Sequence, residues 1–215
     1  MTQMPGARFA VVTFDNAADV ALPWTSDTSA VDALGQTLGW RPDAQASGSD
    51  ISVAVGMADE LLTAAEASRP HVPRYVVYFG DGEQTSQEPL ESFAGLAPRL
   101  AGALVLGYGT QAGATMPLQP GSEDLVSRND TPQRSRIDEG NLDAIAAELG
   151  GDYLHRGAPG GVTFWPEDPA ATAGPATAEG AVPPAWALGL LIASLVLLEL
   201  YLTVRDARRL WKDLR

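Results

Sequence analysis

Residues 74–84 read RYVVYFGDGEQ, and this stretch decides the fold class of the chain. Tyr75 to Phe79 is a short apolar run rich in β-forming residues, which is typical of a buried strand. Asp81 follows the run closely and lies between two glycines. Its carboxylate is therefore predicted to lie at the carboxyl end of the strand, where an open α/β sheet binds its ligands.

The segments around this strand alternate between apolar runs and helical patterns. This alternation over residues 8–156 favours an α/β fold, with a mostly parallel sheet flanked by helices. On the N-terminal side the predicted elements are a hairpin of Arg8–Phe14 with a short strand Asp19–Leu22 that stops at Pro23, and helices over Ser29–Leu38 and Ile51–Ala67. On the C-terminal side they are a helix over Leu90–Leu100, a strand over Ala103–Gly107, a surface loop over Gln111–Arg136, a helix over Asn141–Leu149 and an edge strand over Asp152–His155.

Composition excludes several kinds of site. The 215 residues include no cysteine, so disulfides, thiolate zinc sites and cysteine nucleophiles are excluded. The histidines, His71 and His155, are too few to suggest a histidine metal cluster. The formal charge is −13, and because the last eleven residues carry +3 the remainder carries −16. A domain this acidic should repel nucleic acid and favour cations or basic partners.

The C-terminal part contains a predicted transmembrane helix. Trp186 to Val204 reads WALGLLIASLVLLELYLTV and contains a single charge, Glu199. As a helix this segment would span roughly 28 Å, enough for the hydrocarbon core of a bilayer. The basic residues of 205–215 follow at once, and by the positive-inside tendency they place the C-terminus in the cytoplasm. The acidic domain is therefore expected to be extracytoplasmic, on a protein that crosses the cell membrane once.

The sequence divides into four predicted regions. Residues 1–156 form the domain, and residues 157–185, rich in alanine, proline and glycine, form an extended stalk. Residues 186–204 form the membrane helix and residues 205–215 a basic tail. An extracytoplasmic domain must be exported, yet no signal peptide precedes Phe14, so the natural start of the protein is expected to lie upstream.

Four segments, in order, resemble a von Willebrand factor A (VWA) domain. They read ARFAVVTFDNAADVALPWTSD (7–27), GSDISVAVGMADELL (48–62), RYVVYFGDGEQ (74–84) and IDEGNLDAIAAELGGDYLHR (137–156). The resemblance implies a doubly wound, Rossmann-like sheet. Together with the predicted membrane helix, it makes the chain similar to bacterial membrane-anchored members, such as Bat-type aerotolerance proteins and the proteins encoded beside MoxR-type ATPases.

The resemblance also implies a metal site. In the family, three loops at the carboxyl edge of the sheet form a metal-ion-dependent adhesion site that holds Mg²⁺ or Mn²⁺, and a carboxylate of the protein ligand completes the coordination. By match, Ser49 takes the position of the second-loop threonine and Asp81 that of the third-loop aspartate. The first strand and its DxSxS loop are absent between Met1 and Asp81. The domain is therefore expected to be truncated at its N-terminus, with two inner strands left without a neighbour.

Several functional hypotheses remain open at this point. The first is a membrane-anchored VWA interaction module, not an enzyme, that binds a protein partner through a divalent cation and works with a MoxR-type ATPase. The alternatives are a metal-free membrane scaffold and a metal-dependent hydrolase that uses Asp81 as a ligand. Ser49 could equally act as the N-cap of the helix that follows, and Asp81 as a turn former. Asp27 is predicted to cap the helix that begins near Ser29.

Overall fold

The computed structural model describes residues 6–39, 48–118 and 122–158. Within these ranges the chain forms nine strands and three α-helices. The strands are β1 Phe9–Phe14, β2 Ala18–Thr25, β3 Tyr75–Gly80, β4 Gly102–Tyr108, β5 Ala114–Thr115, β6 Ser127–Arg128, β7 Thr131–Pro132, β8 Arg134–Ser135 and β9 Asp152–Arg156. The helices are α1 Thr28–Thr37, α2 Val55–Ser68 and α3 Glu139–Leu149. This mixture of helices and strands, with the parallel sheet described below, confirms the α/β class, while the doubly wound order of the sheet stays a prediction.

The central feature is a three-stranded parallel sheet in the order β3-β4-β9. β3 pairs with β4 from Tyr75–Gly102 onward, and β4 pairs with β9 from Leu104–Asp152 onward. All three strands were predicted, and their parallel pairing is confirmed. Strand β4 supplies the centre of the core, because the sequence there is an unbroken apolar run and Val105 is fully buried.

The core lies on one face of this sheet. Helices α2 and α3 and the segment before β4 pack there through Leu62, Leu142 and Phe93. Leu142, Ile145 and Leu149 of α3 are buried, as the helical spacing predicted. Gly150 ends α3 in the left-handed conformation, with φ 68°, which is why glycine suits this position.

Strands β1 and β2 form an antiparallel hairpin that is a separate ladder. The hairpin was predicted, but β2 does not stop at Pro23; it continues to Thr25, because an edge strand tolerates a residue that donates no hydrogen bond. The hairpin packs onto the same core, with the rings of Phe14 and Tyr78 5.4 Å apart between centroids. Among the described residues β1 pairs only with β2, and β3 pairs only with β4.

Two other predictions were wrong in detail. The segment Leu90–Leu100 is not an α-helix; it contains two 3-10 turns, Phe93–Gly95 and Ala97–Arg99. Pro98 explains the difference, since a proline in a helix interior removes a hydrogen bond and clashes with the preceding turn. The predicted loop Gln111–Arg136 is also partly ordered, as two short antiparallel ladders, β5 with β8 and β6 with β7.

No helix among the described residues is long and apolar enough to cross a membrane. The predicted membrane helix 186–204 and the tail 205–215 lie outside the described residues. So does most of the predicted stalk, from residue 159 to residue 185.

Candidate functional site

Three chain segments meet at the carboxyl ends of β1 and β3, and we refer to Asp15, Ser49–Asp50 and Asp81–Thr85 as the carboxyl edge. The amide of Asp50 donates to the carbonyl of Asp15 over 2.7 Å, which joins the second segment to the turn after β1. The amide of Ser49 donates to Oγ1 of Thr85 over 2.7 Å, and the Ser49 carbonyl accepts from the amide of Thr85 at 3.0 Å. Ser49 is therefore fixed between the turn after β1 and the loop after β3.

Asp81 is oriented by both its backbone and its carboxylate. Its Oδ1 accepts from the amide of Glu83 at 3.1 Å, and its Oδ2 accepts from the hydroxyl of Ser135 at 2.9 Å. The Asp81 carbonyl accepts from the amide of Asp138 at 2.7 Å. Asp81 thus forms the predicted turn, and its carboxylate lies at the end of β3 as the sequence indicated.

The structure separates the two interpretations of Ser49. Helix α2 begins at Val55, and its N-cap residue is Ala54, which makes no side-chain capping bond. The prediction that Ser49 caps this helix is therefore wrong. Asp27, in contrast, is confirmed as the cap of α1, because its side chain accepts from the amide of Ser29.

A buried aspartate next to Ser49 was missed as a structural centre of this edge. Asp50 is 9% exposed, and its Oδ1 accepts from the amide of Ser52 at 2.9 Å and the hydroxyl of Ser52 at 2.8 Å. The hydroxyl oxygen of Ser52 in turn accepts from the amide of Glu91 at 2.9 Å. The order Asp50-Ile51-Ser52 was the available signal, since an aspartate two residues before a serine commonly forms such a turn.

Tyr78 lies beneath the carboxyl edge in the core. Its hydroxyl donates to the carbonyl of Ile51 over 3.3 Å. Burial raises the pKa of the Tyr78 phenol, and the nearby carboxylates of Asp81 and Asp50 raise it further.

The loop after β3 also contains side chains that join it to other segments of the chain. Oε1 of Gln84 accepts from the amide of Ile51 at 2.8 Å, and Thr85 holds Ser49 as described above. Oε2 of Glu83 accepts from the amide of Arg136 at 3.3 Å. These side chains hold the loop against other segments. Their partners lie more than 30 positions away in the sequence, so the sequence pattern does not predict these contacts.

The described residues supply only part of a ligand set for a metal. Among them there is no group of three or more acidic, histidine or cysteine side chains that could hold a metal ion. Ser49 and Asp81 lie on two joined segments and offer a hydroxyl and a carboxylate. Mg²⁺ in proteins commonly keeps several waters and uses one or two carboxylates, and both oxygens of the Asp81 carboxylate already accept hydrogen bonds from the protein.

Comparison with known proteins identifies the fold but no family. No protein-family model matches the sequence, and no curated protein matches it. An aerotolerance-related membrane protein from Bacteroides fragilis, solved with multiple mutations to serine, is similar in structure, with a TM-score of 0.56 and 23% identity over 71% of this chain and 73% of that one. The conserved hypothetical protein BatB from Bacteroides thetaiotaomicron is similar as well, with a TM-score of 0.55 and 22% identity over 72% and 73% of the two chains. At these identities the similarity shows a shared fold.

Proposed function

We propose that this chain is a membrane-anchored interaction module of the VWA type, in which an extracytoplasmic domain binds a protein partner at its carboxyl edge. Two observations on relatives support the setting: the fold is shared with an aerotolerance-related membrane protein and with BatB. The apolar segment 186–204 supplies the anchor in this proposal. A MoxR-type ATPase on the cytoplasmic side is the further partner that the resemblance suggests.

The observation that carries the proposal is the way in which three distant segments are fastened together at one edge. The amide of Asp50 donates to the carbonyl of Asp15 over 2.7 Å, and the amide of Thr85 donates to the carbonyl of Ser49 over 3.0 Å. The amide of Ser49 also donates to the Thr85 hydroxyl over 2.7 Å. Such rigidity lowers the entropic cost of capturing a partner, because the loops are already ordered. The acidic side chains that remain at this edge favour a cation between the domain and an acidic partner group.

In the finer form of the proposal, Asp81 and Ser49 hold Mg²⁺ or Mn²⁺, with water and a partner carboxylate in the remaining positions. This form is tested with Mn²⁺ on the full chain by electron paramagnetic resonance, which measures the loss of free-ion signal. The isosteric change Asp81→Asn should weaken Mn²⁺ binding by about ten-fold or more, or about 1.4 kcal/mol. Asp32→Asn is a matched control on the exposed surface of α1 and should leave the binding unchanged. Equal Mn²⁺ binding by the wild type and Asp81→Asn would exclude Asp81 as a ligand.

Partner binding is tested separately. Full-length protein in membranes is crosslinked to its neighbours, and the captured proteins are compared between the wild type and Asp81→Ala, with and without EDTA. The metal-dependent proposal predicts that both EDTA and Asp81→Ala reduce the same captured species. A captured species that is insensitive to both treatments contradicts it.

A metal-free scaffold is the second candidate, and one observation favours it. Both carboxylate oxygens of Asp81 already accept hydrogen bonds, from Glu83 and Ser135. In that case the Asp81 side chain serves only to order the loop, and partner capture survives EDTA. The interaction module is proposed in preference to a metal-dependent hydrolase. Turnover of phosphate or ester substrates that is abolished by Asp81→Ala would support the hydrolase instead.

The proposed topology has a simple test because the chain contains no cysteine. Glu88→Cys places a single thiol on the domain, and Asp213→Cys places one in the basic tail. A maleimide that does not cross membranes should label Glu88→Cys in intact cells and leave Asp213→Cys unlabelled until the cells are opened. The reverse pattern would place the domain in the cytoplasm.

A further inference from the structure

Residues 110–118 and 122–136 form an excursion of the chain between β4 and α3, which we call the flap. Within it β5 pairs with β8, and β6 pairs with β7. The hydroxyl of Ser135 on β8 donates to Oδ2 of Asp81, which ties the flap to the carboxyl edge. The flap is therefore an ordered surface that lies beside the loop after β3.

Two exposed arginines flank Ser135 and meet at one glycine of the flap. Alternate residues of an extended segment share a face, so Arg134 and Arg136 lie on the face opposite to the Ser135 side chain. Nη2 of Arg134 donates to the carbonyl of Gly113 over 3.2 Å. A Cβ atom at Gly113 would lie 2.5 Å from Cγ of Arg136, so the stem of this arginine passes over the same glycine. We refer to Arg134 and Arg136 as the arginine pair.

The charges of the arginine pair are not neutralised by the part of the chain that the structure describes. Neither guanidinium forms an ion pair with a carboxylate there. Glu83 is close, but its Oε2 accepts from the backbone amide of Arg136. The bond from Arg134 to Gly113 uses one N–H group and a neutral carbonyl, so it orients the guanidinium and leaves the charge and the other N–H groups available.

Other arginines of the domain are engaged differently. Arg74 and Arg99 both form ion pairs with Glu66, and Arg99 also pairs with Asp59. Carboxylates are abundant in this chain, since the total of −13 includes +3 from the last eleven residues and leaves −16 for the remainder. Two adjacent guanidinium groups without a carboxylate partner therefore form a local positive surface on an acidic domain.

The charge of the whole domain limits which anion this surface can bind. Guanidinium groups bind carboxylates and phosphates through paired N–H groups. A remainder of −16 repels extended polyanions such as nucleic acid or an anionic membrane surface. A carboxylate on a short protein segment carries little charge, so it meets less of this repulsion and still makes the short-range contacts.

The arginine pair also offers a positive group where a metal ion would have to compete for Asp81. Both carboxylate oxygens of Asp81 accept hydrogen bonds, from the amide of Glu83 and the hydroxyl of Ser135. The arginine pair lies on the other face of the same short strand and needs no ligand from Asp81. It can therefore receive an acidic group of a partner whether or not a cation is bound.

We propose that the arginine pair binds a carboxylate on an acidic segment of the partner protein without a metal ion. This inference rests on the proposed function in taking the ligand to be a protein, but it does not require a cation at Asp81. Because both guanidinium groups are exposed, the contact is screened by dissolved ions and should weaken as salt is raised.

The first test uses a fluorescein-labelled synthetic peptide in which glutamate and glycine alternate. Its binding to the full chain in detergent is measured by fluorescence anisotropy, in EDTA and at low salt. A peptide with glutamine in place of glutamate is the control. The glutamate peptide should bind several-fold more tightly than the glutamine peptide, and added sodium chloride should weaken its binding. Equal binding of the two peptides would overturn the proposal.

The second test assigns the binding to the arginine pair. The double variant Arg134→Gln with Arg136→Gln should bind the glutamate peptide about ten-fold more weakly than the wild type. Arg136→Gln and Arg128→Gln form the matched comparison, because each removes one charge from an exposed arginine of the flap. Arg128→Gln should change the binding by less than about two-fold. Equal weakening by these two single variants would indicate general charge attraction and would overturn the assignment.

Two controls complete the experiment. A thermal melt confirms that each variant is folded, and the single variants decide the result if the double variant is not. Acetate and inorganic phosphate, compared at equal ionic strength, should both displace the glutamate peptide; displacement by phosphate alone would assign the arginine pair to a phosphate group and overturn the carboxylate proposal. EDTA is present throughout, so these results are independent of the Mn²⁺ test of Asp81, and either proposal can fail without the other.

Discussion

The hydroxyl of Ser135 donates a hydrogen bond to Oδ2 of Asp81 over 2.9 Å, although the two residues lie 54 positions apart in the sequence. Ser135 belongs to β8, a two-residue strand paired with β5. The bond therefore connects the segment before α3 to the end of β3. Whether Asp81 acts as a metal ligand or as a turn former, one of its carboxylate oxygens is already engaged by Ser135.

The contact should be measurable as a coupling energy. Ser135→Ala removes the donor, and Asp81→Ala removes the acceptor; each change should lower the free energy of unfolding by about 1 to 2 kcal/mol at neutral pH. The double variant should be less destabilised than the sum of the two, by about 0.5 to 1.5 kcal/mol. Denaturant unfolding of the full chain in the presence of EDTA measures all three values.

Ser127 provides the control for this cycle. Within the part of the chain that the structure describes, its hydroxyl donates only to the carbonyl of Leu125, and the residue is exposed. The effects of Ser127→Ala and Asp81→Ala should add within about 0.5 kcal/mol. Additivity for Ser135→Ala as well would mean that the Ser135–Asp81 bond contributes nothing to stability.

Gly82 is required by the turn that presents Asp81. Its φ is +74°, and a Cβ atom there would lie 2.5 Å from the carbonyl oxygen of Asp138 and 2.8 Å from Cγ of the fully buried Leu142. Gly82→Ala should therefore destabilise the domain by about 2 to 4 kcal/mol, through both backbone strain and overpacking. The free energy of unfolding of the full chain tests this value.

Gly56 is a matched control for that substitution. It lies in α2, its φ is not positive, and an added Cβ would meet no atom within 4 Å. Gly56→Ala should stabilise the protein by about 0.5 to 1 kcal/mol, because alanine loses less conformational entropy in a helix. A similar destabilisation by both alanines would indicate that Gly82 has no special role.

The sequence predicted the parallel strands and the helices wherever periodicity and burial agree. β4 and α3 are the clearest cases, because one is an unbroken apolar run and the other has apolar residues at helical spacing. The failures have one local cause and one that depends on distant partners. Pro98 broke a helical pattern, and β5 to β8 are pairs of short segments with no apolar signal. At the candidate site, the position of Asp81 followed from the strand before it, whereas its bond to Ser135 depended on a tertiary contact that spacing does not encode.

Glu148 on α3 should be important for the stability of the segment that replaced the predicted helix. Its Oε2 accepts from the amide of Phe93 at 2.6 Å and from the hydroxyl of Ser92 at 2.9 Å, which holds the first 3-10 turn against α3. Glu148→Ala removes two charge-assisted bonds and should cost about 2 kcal/mol. Amide hydrogen exchange at Phe93 should accelerate in parallel with the loss of stability.

Glu60→Ala controls for the removal of a helical glutamate. Glu60 is exposed on α2, and the change should stay within about 0.5 kcal/mol of the wild type. Glu148→Gln should fall between the two, because an amide oxygen still accepts hydrogen bonds but carries no charge. If Glu148→Ala matches Glu60→Ala, the 3-10 turn is held by Phe93 packing alone.

Burial of Tyr78 should make the free energy of unfolding of the domain fall at alkaline pH. Its phenol has a raised pKa in the folded protein, chiefly through burial and then through Asp81 and Asp50. The unfolded chain releases the same proton near pH 10, so the stabilisation is complete below that pH and is lost as the pH rises above it. Tyr78→Phe should be less stable at pH 7 by about 1 kcal/mol, because the bond to the Ile51 carbonyl is lost. The difference from the wild type should shrink or reverse between about pH 10 and pH 11.

Tyr153→Phe is the informative comparison, measured by chemical unfolding of the full chain at each pH. The pKa of Tyr153 is also raised, first by burial and then by Glu139 and Asp143, yet its hydroxyl is buried with no hydrogen-bond partner among the described residues. Tyr153→Phe should therefore be neutral or stabilising at pH 7, because no bond is lost and an unsatisfied polar atom is removed. Both variants should be less sensitive to alkali than the wild type. A gap between the wild type and Tyr78→Phe that stays constant from pH 7 to pH 11 would mean that the buried phenol does not resist ionisation.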